Sequence, residues 1–258
     1  MAYLDVKYKE PMFPHQKYED RLVAFIDVLG FSNLVDDTKC DEQKLRHLTA
    51  GLDTLYNRIW AWEADGVYSS FAFTQFSDSI VISALAESSD SFAMLQQLLL
   101  GVMELVDDYD ILVRGGIARG QLIHDRTMVV GPAMVEAYHL ESKEAKYPRI
   151  IIEKGLKEQI EADIKVYVKE HYGMSELPSQ DNLFKTDEDG WCYLDYVNPV
   201  PDYFEFLDPE DHFKLLDRLV KKGLQSDKEE VRKKYPWLKK KVELARSEQS
   251  KAVLSTSL

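Results

Sequence analysis

Two aspartates have the type and placement for chemistry. Asp27 closes the apolar run Arg21–Asp27 (RLVAFID), and Asp78 sits in the polar break Phe76-Ser77-Asp78-Ser79, 51 residues later. Carboxylates brought together from two strands form a seat for one or two hard divalent cations with oxygen ligands, Mg2+ or Mn2+. Immediately after Asp27, the stretch Leu29-Gly30-Phe31-Ser32 opens toward a helix. Backbone N–H groups of such a turn cradle phosphates without any basic side chain. Taken singly, each Asp serves equally as a cap or turn residue, so the chemistry depends on the elements that would bring the pair together.

Those elements are legible in the spacing. Arg21–Asp27 reads as a buried strand, a short apolar run ending at a glycine turn. From Asp41 onward, Leu45, Leu48, Leu52, Leu55, Ile59 and Trp62 recur at helical spacing and predict one buried stripe. Tyr68–Ala84 carries aromatic and β-branched residues around the Ser77-Asp78 break and predicts a hairpin. Ser88-Ser89-Asp90 caps a second helix running to about Val106. Ile111–Ile123 reads as a strand, with Gly115 and Gly116 marking close backbone approach. A third helix follows Gly131-Pro132, and Arg149–Glu153 forms a further strand. This order suits an α+β sandwich on the ferredoxin-like plan. In that plan the first strand runs antiparallel beside the second hairpin strand, and Asp27 and Asp78 meet at one sheet edge. Past Ile164 the pattern turns charged and proline-rich, with a strand-like segment at Cys192–Val197 and helices expected over His212–Lys222 and Asp227–Ser247. The expected division is a catalytic domain over 1–164 and a C-terminal extension with terminal helices over 165–258.

Composition narrows the function classes. The chain has 258 residues, 45% hydrophobic and 30% charged, so a sizeable core is available. Lys and Arg total 32 against 45 Asp and Glu, a net charge of −13 that argues against general nucleic-acid binding. Lys214–Lys251 is a basic exception, read as a solvated helical face or a docking surface for an acidic body. Only Cys40 and Cys192 are present, which excludes a disulfide framework. The longest apolar run, around Met94–Val106, is interrupted by Gln96, Gln97, Gly101 and Glu104, too short for a membrane span. The N-terminal stretch carries no apolar signal core, so the expected location is the cytoplasm, with neither membrane nor nucleic acid as a partner.

Four segments resemble, in order and spacing, the motifs of class III nucleotidyl cyclases: FIDVLGF at Phe25–Phe31, FSDSIVIS at Phe76–Ser83, VRGGIARGQL at Val113–Leu122 and VGPAMVEAYHLE at Val130–Glu141. The stand-alone length, KYPRI at Lys146–Ile150 and KYPWL at Lys234–Leu238 make the chain most similar to the bacterial pyrimidine cyclases of the Pycsar antiphage systems. The resemblance implies a homodimer with sites at the subunit interface, converting UTP or CTP to the 3′,5′-cyclic monophosphate and pyrophosphate. It implies that Asp27, Asp78 and the carbonyl of Val28 hold two metals, and that a separate effector protein reads the product.

The departures from the family pattern bear on substrate. Adenine and guanine readers place a Lys or a Glu at the position of Thr74, and a small polar residue there suits a pyrimidine edge. Tyr56, one step off the Leu stripe, is a candidate to touch the base from the partner subunit, or an ordinary boundary aromatic. The family's transition-state Asn and Arg align with Val135 and His139. Arg114 is then the preferred source of positive charge at the transferring phosphate, with a structural salt bridge as its other reading. A degenerate cyclase-like module, a purine cyclase and another two-metal phosphotransferase remain as alternatives.

Overall fold

A computed structural model describes residues 17–64, 70–86, 88–125, 127–172, 183–198 and 208–256. β1 (Glu19–Val28) is buried almost throughout because Leu22 to Ile26 carry no polar side chain. A short helix α1 (Phe31–Thr38) follows, then the long helix α2 (Glu42–Ala64). The expected hairpin is β2 (Ala72–Phe76) and β3 (Ser79–Leu85), joined by Ser77-Asp78. Next come α3 (Ser88–Tyr109), β4 (Val113–His124), β5 (Val129–Val130) and α4 (Pro132–His139), which runs into a π-helical turn at Leu140–Glu144. The sheet order begins β2-β3-β1-β4, with β1 antiparallel to both neighbours, which is the ferredoxin-like arrangement of an α+β domain.

The sheet does not stop there. β6 (Ile150–Ile152) pairs parallel with β4, so the sheet is mixed rather than purely antiparallel. β8 (Cys192–Leu194) and β7 (Phe184–Thr186) continue it beyond β6, so strands on either side of residue 164 share one sheet. Between them lies α5 (Leu156–Tyr172), a helix that periodicity did not reveal because its buried Leu156 and Ile160 are outnumbered by Lys and Glu. The chain ends in α6 (Pro209–Leu224), α7 (Glu229–Arg232) and α8 (Tyr235–Thr256). α6 starts where Asp208 accepts a hydrogen bond from the Glu210 N–H at 2.9 Å and Pro209 takes the first helical position. The single last helix expected over Asp227–Ser247 is instead interrupted by a turn at Lys233-Lys234, and Pro236 sits in the first turn of α8, where its missing N–H costs no helical bond.

α2 and α3 cover one face of the sheet and α4 the other. On α2 the predicted stripe holds for Leu48, Leu55 and Ile59, which are buried. Leu45 does not follow it: it lies in the first turn and is 47% exposed, whereas α2 meets α3 further along, where Leu55 fills the space beside Gly101. The Trp62 side chain lies outside the described residues. No described helix is long and apolar enough to cross a membrane.

The extension is fastened by a buried polar hub. Arg149, fully buried, forms ion pairs with Asp187 and, at 2.6 Å, with Asp189. Its guanidinium lies 5.0 Å from the centre of the Tyr147 ring and 5.9 Å from that of Trp237. Trp237 in turn donates to Asp187 at 2.5 Å, and Lys241 pairs with the same carboxylate at 2.7 Å. A second tie joins α6 to α3 through His212 and Asp107 at 2.6 Å.

Candidate active site

Register places the two aspartates together. Asp27 lies opposite Ser79 on β3 and opposite Arg114 on β4, and the Val28 N–H donates to the Asp78 carbonyl at 3.0 Å. The two-residue turn carries Ser77 at φ 58°, a left-handed conformation uncommon outside glycine, and this sets where Asp78 stands. Both side chains are partly exposed. The Asp27 carboxyl is pushed up to about 6, first by burial and then by the nearby carboxylates Glu141 and Asp78, while Arg114 and Lys234 pull the other way. Three carboxylates and two cations thus act on one another at this sheet edge.

Glu141 has no role in the sequence reading, although it ends the motif VGPAMVEAYHLE. It arrives because Gly116 has no side chain: a Cβ there would lie 2.4 Å from the Ala137 carbonyl and 2.5 Å from the Leu140 Cβ. The α4 end and the π-helical turn can therefore sit directly on β4 and carry Glu141 to the sheet edge, where it is 4% exposed. Arg114 donates from Nε to Glu141 at 2.7 Å and lies 3.8 Å from Asp27. Its guanidinium is engaged by Glu141, the salt-bridge alternative, and Asp27 stands at ion-pair rather than hydrogen-bond distance from it.

The chemistry of the donors suits a hard cation: two carboxylates, Asp27 and Asp78, with the Val28 carbonyl between them in the chain. Among the described residues no group of three or more His, Cys, Asp or Glu side chains is placed to hold a metal ion. Just beyond Asp27 in the chain, Gly30 takes φ 75° at the start of α1, and no side chain caps that helix. The Asn33 and Leu34 N–H groups bond to the Gly30 carbonyl at 2.9 and 3.2 Å, which leaves the Phe31 and Ser32 N–H groups as the two without intrahelical partners. Ser32 is exposed and Phe31 partly so.

The base-reading candidates separate. Thr74 lies opposite Val81, and Val81 opposite Phe25, whose ring meets Tyr138 of α4 edge-on at 5.5 Å, so Thr74 is on the α4 face with Asp27 and Arg114. Tyr56 instead meets Phe73 edge-on at 5.3 Å on the opposite face, so one chain does not bring Tyr56 and Thr74 to a common pocket.

Thr74 is held by a residue the sequence reading missed. The Thr74 hydroxyl lies 3.1 Å from His124 Nε2, and His124 Nδ1 lies 2.8 Å from the Ser83 hydroxyl, which accepts from Arg21 Nε at 2.9 Å. Burial, helped by the Arg21 charge, lowers the His124 imidazole to about 4. A folded value below the unfolded one means that the fold favours the neutral ring. Its stabilisation is complete above about pH 6.5 and drains away as pH falls toward 4, a loss of about 3 kcal/mol. Urea unfolding of the wild type and of His124→Gln between pH 7 and pH 4 should therefore show the wild-type advantage shrinking by that order as pH falls; a constant gap contradicts a neutral buried ring.

No protein-family model matches the chain, and no curated protein matches it. Solved structures similar to it include the adenylyl cyclase CyaB from P. aeruginosa, at 18% identity over 58% of this chain and 82% of that one, with a TM-score of 0.44. A bacterial light-regulated adenylyl cyclase is similar at 13% identity over 79% of this chain and 100% of the other, with a TM-score of 0.42. The catalytic core of a rhodopsin-guanylyl cyclase with converted specificity, in complex with ATPαS, is similar at 16% identity over 56% and 83%, with a TM-score of 0.39. Likeness at this level bears on neither activity nor substrate.

Proposed function

We propose that this chain is a nucleotidyl cyclase acting on a pyrimidine triphosphate, UTP in preference to CTP. The carrying observation is the convergence of Asp27 and Asp78 at one sheet edge, in a carboxylate-rich setting, beside the uncapped Gly30 turn. Asp27, Asp78 and the Val28 carbonyl would hold Mg2+ or Mn2+, which when bound lowers the pKa of the ribose 3′-hydroxyl and offsets charge on the leaving pyrophosphate. The Phe31 and Ser32 N–H groups orient the phosphates, and Arg114 stands beside the Asp27 carboxylate at ion-pair distance. The 3′-oxygen attacks the α-phosphorus as the bond to the β-phosphate oxygen breaks, and no protein nucleophile is needed.

A homodimer fits the surface of the α4 side. Met128, Val130, Val135 and Tyr138 are exposed there, at 40%, 46%, 53% and 48%, an apolar set of the kind that subunit contacts cover. Tyr56 lies on the other face of its own sheet, so as the proposed base contact from the second copy it requires an interface that extends past the α4 side to the α2 face. The product would act as a second messenger in antiphage defence, read by a separate effector protein, with the whole system in the cytoplasm.

The test is direct. Purified protein is incubated with each of the four nucleoside triphosphates and Mn2+, and products are identified by mass spectrometry. Cyclic UMP or cyclic CMP as the major product is expected; cyclic AMP or cyclic GMP overturns the pyrimidine reading, and no cyclic product overturns the activity. Tyr56→Phe should lower kcat/KM for the favoured triphosphate by roughly tenfold, about the worth of one lost hydrogen bond. Unchanged base preference in Tyr56→Ala removes this residue from the pocket.

A further inference from the structure

A cavity of about 410 Å³ opens beside the Leu29-Gly30 turn that follows β1, and its walls come from both halves of the chain. Leu29, Gly30 and Asn33 form one wall; Lys222, Ser226 and Lys234 form the other. We propose that Lys234, carried by the C-terminal extension, is a substrate-binding residue that holds the terminal phosphates of the nucleotide against the Gly30 turn of its own chain. This rests on the cyclase reading and adds to it a contact from outside the four motifs.

The extension is built to deliver this lysine. A Cβ on Gly223 would fall about 2.1 Å from ring atoms of Tyr235, so the bare backbone of α6 is what lets that ring lie directly on it. Trp237 and Leu238, next along, are buried, and Tyr193 meets the Trp237 ring edge-on at 5.5 Å. Lys234 itself is tied by its N–H to the Val231 carbonyl at 3.1 Å. The residue thus occupies a fixed corner between α7 and α8, partly buried, rather than a free surface position.

The cavity's own cations are Lys222 and Lys234. Three carboxylates line it, Asp37, Asp110 and Asp227. Asp110 is paired with Arg218, and Asp37 lies 3.8 Å from Lys44, cations that do not line the cavity. Lys222 and Lys234 share the cavity lining with Asp227 and with Gly30 and Asn33 at the start of α1, and Lys234 also lies in the field of Asp27, Glu141 and Glu230. The cavity volume lies within the range of about 300–1,000 Å³ typical of small-ligand sites.

The probe is inorganic tripolyphosphate with Mg2+, titrated calorimetrically into wild type, Lys234→Met and Lys234→Arg, alongside steady-state kinetics with the favoured nucleotide. Lys234→Met should weaken tripolyphosphate binding and raise KM by about ten- to a hundredfold, the worth of one charge-assisted hydrogen bond. Lys234→Arg should restore most of both, and thermal midpoints of all three should agree, since the lysine holds no buried structural pair. The proposal is overturned if Lys234→Met binds tripolyphosphate as the wild type does, or if the wild type does not bind it. If the wild type binds tripolyphosphate through Lys234 yet forms no cyclic nucleotide, the anion site stands and the cyclase reading falls. If it cyclises normally with Lys234→Met, the cyclase reading stands and this contact falls.

Discussion

Replacing Asp27 or Asp78 with Ala is expected to lower cyclisation by about a thousandfold or more while the protein stays folded. A metal centre supplies several kcal/mol of charge stabilisation to the transition state, and about 1.4 kcal/mol corresponds to a factor of ten in rate. The folding side can be argued separately. The Asp27 carboxyl is raised to about 6 by burial and neighbouring carboxylates, so at neutral pH its charge opposes folding. Asp27→Ala should accordingly leave the thermal midpoint unchanged or higher, apart from the loss of its 3.8 Å contact with Arg114. Product quantification at several Mn2+ concentrations, together with a thermal melt, separates the two effects. Near-wild-type turnover with metal dependence intact in either variant contradicts the two-carboxylate site.

Arg149→Met should cost about 3 kcal/mol of stability without touching the site chemistry. Removing one partner of a buried ion pair strands the other, which typically costs about 3–5 kcal/mol. The lower end applies because Asp187 keeps Lys241 at 2.7 Å and Trp237 at 2.5 Å, and Asp189 is partly exposed. For a chain of this size that corresponds to a fall in thermal midpoint of about 10 °C. Arg149→Met paired with Asp187→Asn should lose more, because Lys241 then loses its carboxylate partner as well. A melt of Arg149→Met within about 2 °C of the wild type would show that the hub does not fasten the extension.

The first half of the fold was readable because its signals are local and strong. Arg21–Asp27, the Ser77-Asp78 turn and the Gly115-Gly116 pair each carry a pattern that a short window contains, and the ferredoxin-like order followed from their succession. The convergence of Asp27 and Asp78 was readable for the same reason, since it needs only the topology. Glu141, His124 and Lys234 were missed because nothing local marks them. Glu141 reaches the edge only through the close approach over Gly116, His124 only through a sheet that brings β4 to β2, and Lys234 only through docking of the extension. The motif KYPWL was noticed as a resemblance, and its first residue proved to line the cavity. α5 was lost to the opposite failing, a short apolar stripe diluted by charge. Arg114 illustrates a third: its type suggested a phosphate contact, and only the structure reveals that Glu141 occupies it.

The position of β6 sets a boundary on how this protein can be cut. Ile150, Ile151 and Ile152 are fully enclosed between β4 and the strand pair contributed by residues 184–194. Ending the chain at residue 164, where the charge pattern changes, would bare three consecutive isoleucines on an unpaired strand edge. An exposed apolar edge of that kind recruits other chains. The shortest piece that stays monodisperse must therefore run past Leu194, and insertion of an affinity tag or a fusion partner is better placed at the chain termini than between the two halves.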